Sequence, residues 1–161
     1  MKRFDFHPDN LGGLLCIYAV PSTSFVRIRT EYADNVRYLE LTKIEDIIQI
    51  PVIDDRSFEF AEELTFSEAG CGWQVTIEGL IPHLDAKHNK LIRQLEGGYW
   101  YVLCVDANGV PHWCGQQDAY MVCNTRKVTG GRTNDINGTS ISFACIQDEP
   151  SLIVAEDADF S

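Results

Sequence analysis

Bases are scarce in this chain. Its 161 residues include 13 Lys and Arg against 24 Asp and Glu, a formal net charge of -11 at pH 7. Proteins that hold nucleic acid by its phosphates carry a stripe of Lys and Arg. No basic cluster here is longer than that of Met1-Lys2-Arg3, which excludes phosphate gripping as the working mode. An acidic wall repels phosphate instead, so DNA can pass it without sticking. The same charge also serves plain solubility. Long apolar runs are missing as well, and no stretch approaches the roughly 20 apolar residues that cross a bilayer. Residues 11–20 are apolar, but they follow Asp5, His7 and Asp9 and lead to no small-residue cleavage site. The expectation is a chain without a signal peptide, made in the cytoplasm, with no membrane partner.

Motifs that carry chemistry are absent too. There is no GxxxxGK[ST], GxGxxG, GxSxG or HExxH, so phosphate cradles, hydrolase elbows and helical zinc sites have no signature. The six cysteines, at 16, 71, 104, 114, 123 and 145, are widely and irregularly spaced and form no CxxC. In a reducing compartment this pattern reads as six free thiols. The Asn137-Gly138-Thr139 sequon has no meaning for a chain that is never secreted.

What is present is alternation. Trp73-Gln74-Val75-Thr76-Ile77-Glu78 and Thr139 to Cys145 alternate apolar with polar residues, the period of a strand with one buried face. Tyr99 to Val105 and Val110 to Gly115 flank Asn108-Gly109, a strong hairpin signal. Leu14 to Val20 reads as a buried strand, Phe25 to Arg29 as an exposed one, and Ser57 to Phe66 sets Phe58 and Phe60 on one face. Residues 36–53 fit neither period cleanly, although β-branched crowding from Ile44 to Ile53 and Pro51 favour strand. The segment 79–82 is expected to close the Trp73 strand. The period then changes: Leu84, His88, Leu91, Ile92 and Leu95 share one helical face, and Gly97-Gly98 stops it. The expected fold is mainly β, an antiparallel β-sandwich or barrel with one flanking α-helix at about residues 83–96. Residues 1–13 read as an N-terminal arm, 14–147 as a single β-rich domain, and 148–161 as an acidic tail anchored by Leu152-Ile153-Val154.

The residue types that carry chemistry are present but scattered. His83 and His88 lie five apart near Asp85, a spacing that rotates one imidazole away from the other on a helix, with no third ligand evident. His112 and Cys114 fall on one strand face, but no orienting group or oxyanion hole accompanies them. Asp106-Ala107-Asn108-Gly109 resembles the start of a calcium loop and lacks its remaining ligands, so a β-turn explains it. Asp54-Asp55 and Glu62-Glu63 are neighbours, and neighbours on a strand point to opposite faces. Trp73, Tyr99, Trp100, Tyr101, Trp113 and Tyr120 could stack sugars or bases, or fill a core or a subunit interface. The run Tyr99-Trp100-Tyr101 puts rings on both sheet faces, so a second face must be covered by the helix or another subunit. No catalytic, cofactor-binding or metal residue is assigned, no cofactor is implied, and the chain is not read as an enzyme.

One resemblance runs along most of the sequence. Leu11-Gly12-Gly13-Leu14 leads to Ala19-Val20-Pro21, and Gly79-Leu80-Ile81-Pro82 precedes the helix. Trp100 to Val105 enters Asp106-Ala107-Asn108-Gly109, and Thr129-Gly130 precedes Asp135-Ile136-Asn137-Gly138 and a strand. In this order the signals resemble small tail-associated structural proteins of Bacteroidetes phages and prophages. The resemblance implies a tail-tube-like fold, in which two sheets and a flanking helix assemble into homo-oligomeric rings around an acidic DNA channel. It implies partners of three kinds: further copies of the chain, other virion tail proteins, and DNA as passing cargo. It also implies a place in the virion tail, assembled in the bacterial host cytoplasm, as tube, terminator, stopper or distal hub subunit. Residues 1–13, 30–38 and 148–161 are the candidate joining arms. The alternative reading is a soluble, non-enzymatic β-sandwich binding module for carbohydrate or a protein ligand, with Trp100 or Trp113 as its platform.

Overall fold

The computed structural model describes residues 12–31, 36–42, 46–52, 57–82, 85–132 and 137–154. In chain order these form β1 (Leu14–Pro21), β2 (Phe25–Glu31), β3 (Val36–Thr42), β4 (Ile48–Ile50), β5 (Phe58–Ser67), β6 (Gly70–Pro82), α1 (Ala86–Leu95), β7 (Tyr99–Asp106), β8 (Pro111–Cys114), β9 (Met121–Val128), β10 (Gly138–Gln147) and β11 (Leu152–Ile153). The fold is mainly β and antiparallel throughout its described pairings, with one helix, as the alternation implies.

β7 organises the sheet. One of its edges pairs with β1 along its length, from Leu14↔Asp106 to Pro21↔Trp100. The other edge is divided. β9 takes its start through Tyr99↔Val122 and Trp100↔Met121, and β8 takes the rest through Val102↔Cys114 to Val105↔Pro111. The chain leaves the sheet between β8 and β9 at Gly115, whose φ of 96° suits glycine, and returns through a Gln116↔Ala119 bridge. From β7 one arm of the sheet runs through β8 to β11, with β1 and β4 on the opposite edge. The other arm runs through β9, β10 and β6 to β5. β2 and β3 form a separate two-stranded ribbon of seven residue pairs.

The main core joins both arms: Leu14 and Ile17 of β1, Phe58 of β5, Val75 and Ile77 of β6, Val102 of β7, Met121 of β9, and Ile141 and Phe143 of β10. The helix closes one opening by burying Ile92 and Leu95 in it. Asp85 caps the helix, accepting from the His88 backbone N–H at 2.8 Å, so α1 begins one residue later than the cap and inside the expected 83–96 span. Its end is tied down too. Trp100 Nε1 donates to the Leu95 carbonyl at 3.1 Å, satisfying a group that a helix terminus otherwise leaves orphaned.

One sequence expectation is refined and one changes. Residues 36–53, which fit neither period cleanly, hold two strands among the described residues, β3 and the short β4. β6 runs unbroken through Gly79 to Pro82, and Gly79 pairs with both Phe58 and Ile141. Glycine is required there by close approach, because the Ser57 carbonyl and the Phe58 ring occupy the space a Cβ would take. No helix among the described residues is long and apolar enough to cross a membrane.

Candidate functional site

β7 is buried on both faces, which is why its sequence is apolar without alternation. Trp100, Val102 and Cys104 enter the main core, whereas Tyr101 and Leu103 enter a second cluster with Val20, Trp113 and Val154. Within that cluster the Tyr101 and Trp113 rings stack at 5.2 Å, and Tyr120 meets Tyr101 edge-on at 5.3 Å. Burial, the Tyr120 hydroxyl and nearby charge push the Tyr101 phenol up to about 12. The second face of the Tyr99-Trp100-Tyr101 run is therefore covered by the chain's own residues, and the helix packs on the Trp100 side. Trp100 and Trp113 are 6% and 1% exposed, so neither can serve as a stacking platform. Tyr99 is the exposed ring of the three.

The Asn108-Gly109 turn fixes a histidine–carboxylate pair on the sheet. Asp106 Oδ1 accepts from the backbone N–H of Asn108 (2.9 Å) and Val110 (3.0 Å), and Gly109 adopts a φ of 83°. The other oxygen, Oδ2, lies 3.0 Å from His112 Nε2. Burial works to raise the Asp106 pKa, but the bonds from His112, Val110 and Asn108 outweigh it and hold the carboxyl below its ordinary value. The His112 ring stacks on Phe60 of β5 at 4.8 Å, so the pair clamps β8 against β5. The Asp106 carboxylate is a turn cap with its oxygens already engaged, which suits the β-turn reading and leaves little for a cation.

Cys114 does share the inward face with His112, and it is fully buried. Burial, with the adjoining Cys104 thiol, drives the Cys114 pKa well above the ordinary value. The thiolate needed for attack is suppressed. All six cysteines are free, and among the described residues no three His, Cys, Asp or Glu side chains converge as a metal site. His88 Nδ1 lies 2.9 Å from the Asp85 carboxylate. His83, Asp54 and Asp55 lie outside the described residues. Glu62 accepts from the Ser151 backbone N–H (3.0 Å) and hydroxyl, so the Glu62-Glu63 pair does not act together.

A polar anchor that sequence reasoning missed is Gln147, 2% exposed at the end of β10. Its Oε1 accepts from the Gly115 N–H at 3.0 Å, and its Nε2 donates to the Glu149 carbonyl at 2.8 Å. It fastens the β8–β9 excursion to the segment after β10. There the apolar triplet forms β11 on β8, with Leu152↔Trp113 and Ile153↔His112, and Val154 is buried. Of the 30–38 segment, residues 30–31 and 36–38 belong to the β2–β3 ribbon, where Thr30 pairs Arg37 and Glu31 pairs Val36, and residues 32–35 lie outside the described residues. Most of the 1–13 arm and residues 155–161 lie outside the described residues.

What remains on the surface is an edge. β5 is ten residues long and pairs with β6 alone among the described strands. Leu64 is 38% and Phe66 79% exposed near its end, and Cys71 across the turn is exposed as well. An open, shallow groove of about 650 Å³ lies between β4 and α1, lined by Ile48, Gln49, Leu91, Gln94 and Trp100. Long free edges with apolar side chains are templates for pairing with another chain. Comparison of the chain with protein families, with curated proteins and with solved structures finds no match in any of the three.

Proposed function

We propose that this chain is a structural subunit of a phage tail, of the tube or hub type, that assembles with copies of itself into rings around the DNA channel. It works without enzymatic activity, alongside other tail proteins, in a virion tail assembled in the host cytoplasm. One observation carries the reading: the ten-residue β5 edge, pairing only β6 among the described strands, ends in exposed apolar side chains. Soluble single-chain proteins blunt such edges, and assembling ones use them. The scarcity of bases supports passage of DNA over retention.

The test is the mass of the purified protein in solution by light scattering, followed by negative-stain imaging. The expected result is a multiple of 18.2 kDa and rings or tubes with a central hole. A strict monomer at high concentration, with no ring in the images, would overturn the assembly reading.

A further inference from the structure

The two ends of the β5–β6 hairpin differ in charge. β6 runs twelve residue steps from Gly70 at the turn to Pro82 before the helix, about 40 Å at strand rise. At the turn end the exposed charges are Glu62, Glu63, Glu68, Asp118, Asp148 and Glu149. Asp118 belongs to this end because Gln116 Oε1, in the same short loop, accepts from the Asp148 N–H at 3.2 Å. None of residues 57–82, 115–120 and 138–154 is Lys or Arg.

At the opposite end stand five exposed bases, with the exposed Asp85 and Glu96 at the two ends of α1. Lys87, Lys90 and Arg93 fall three apart along one stripe of α1. Arg126 and Lys127 of β9 pair with Ser140 and Thr139, next to the Gly138 that pairs with Pro82. The Thr125 hydroxyl donates to Glu96 at 2.8 Å, fastening the helix end to β9, so Lys127, on the same side of the strand as Thr125, joins the helix bases on one face while Arg126 points to the other side. Beside the helix stripe is a shallow recess of about 470 Å³ lined by Ala86, Asn89, Lys90, Arg93 and Gln94.

We propose that copies of this chain associate head to tail, the acidic β5–β6 turn of one seated against the basic α1–β9 face of the next. The exposed Phe66 ring occupies the recess beside Lys90 and Arg93. Charge complementarity selects the occupant: in a chain of net charge -11, Lys87, Lys90, Arg93 and Lys127 form a basic face among the described residues, and the hairpin turn lies at the opposite pole. A contact between two different patches is heterologous and gives the assembly a direction, closing into a ring or extending as a stack. This rests on the self-assembly reading and adds which surfaces meet.

A charge exchange tests it. One variant carries Glu63→Lys with Glu68→Lys, and a second carries Lys90→Glu with Arg93→Glu. All four positions are exposed, and far-UV circular dichroism checks that both variants fold. Each variant alone presents like charge at the contact, so its association should weaken by about tenfold or more. Mixed in equal amounts the two present opposite charges again, and the light-scattering mass should return to the wild-type value. Phe66→Ser, with charges intact, should also lose mass. If each variant assembles like wild type, or if the mixture stays at the mass of its separate components, head-to-tail contact is overturned while self-assembly stands. A monomeric wild type would overturn both.

Discussion

In the β5–β6 hairpin, Phe58 and Phe60 near the root and Leu64 and Phe66 near the turn point to the same face, because each lies an even number of residues from the others. At the root Phe58 is 2% exposed, beside Val75 and Ile77, which are fully buried. At the turn Phe66 is 79% exposed, opposite an exposed Cys71. The pattern is one; the cover is not. β1, β7 and β8 reach over the root, and His112 stacks on Phe60 there. β10 pairs with β6 only as far as Trp73, so the last residues of the hairpin stand beyond the sheet. Alternation therefore states which side of a strand is apolar. Other elements decide whether that side meets the chain's own core or a neighbour.

The largest expected effects come from truncating one ring at each end. Phe58→Ala removes a fully packed side chain and should lower unfolding free energy by about 3–5 kcal/mol. Phe66→Ala should change the monomer's stability by no more than about 0.5 kcal/mol. Urea titrations followed by circular dichroism at low protein concentration measure both. Similar losses at the two sites would mean that the turn is covered within the monomer, and the contrast would vanish.

Glycine substitution sharpens the same contrast. An alanine at Gly79 meets the Ser57 carbonyl and the Phe58 ring, neither of which can move without displacing the core. Gly79→Ala should cost about 2–3 kcal/mol. At Gly72 the new Cβ would lie 2.9 Å from Ile146 Cγ2, the end of a side chain that is 66% exposed and free to turn. Gly72→Ala should cost under about 1 kcal/mol in the same titrations.

The root also carries a pH-dependent clamp. The Asp106 carboxyl is held below its ordinary value in the folded chain. A depressed carboxyl adds stability above its unfolded-state pKa, near 3.9, and that share is lost as pH falls through the folded value. Asp106→Ala orphans two backbone N–H groups and the His112 contact, and should lose about 1–2 kcal/mol at neutral pH. The variant should then lose less than wild type on acidification towards pH 3. An Asp106→Ala curve parallel to wild type down to acid pH would show that the clamp contributes nothing.

Much of this fold is legible in the residues. Asn108-Gly109 marks the β7–β8 hairpin because a tight turn needs its glycine at positive φ, and Leu84 to Gly98 marks the helix because period and stop agree. Gly79 was legible as a break and not as a close approach, since the ring that excludes its Cβ comes from another strand. The split of β7's edge between β8 and β9, and the burial of both its faces, depend on pairings such as Tyr99↔Val122 and Leu14↔Asp106, between residues far apart in the chain, which no local period records. Trp100 and Trp113 illustrate the limit at the candidate site. Their identity permits a ligand platform, and only their burial in two different clusters removes it. The polarity of charge was invisible for the same reason: Lys127 and Lys90 come to one face only through the Glu96–Thr125 bond.

The smallest perturbation leaves stability untouched and reads the hairpin directly. Cys71 is the one exposed cysteine of the six and sits at the turn. Burial pushes Cys145 up to about 11 and, with Glu96 nearby, Cys123 up to about 12, and it also raises Cys114 well above its ordinary value. Thiol reagents attack as thiolates meet them, so dilute native protein at pH 8 should label at Cys71 within minutes while Cys114, Cys123 and Cys145 stay unmodified. Cys16, half-buried and also raised by burial, should follow more slowly. Unfolded protein should label at all six positions, counted by intact mass. In assembled protein the head-to-tail contact covers the turn, so Cys71 should fall silent as concentration rises and reappear in the Lys90→Glu, Arg93→Glu variant. Labelling of Cys71 that is equally fast in monomer and assembly would leave the turn exposed in both, and the apolar end of β5 would then need a different partner.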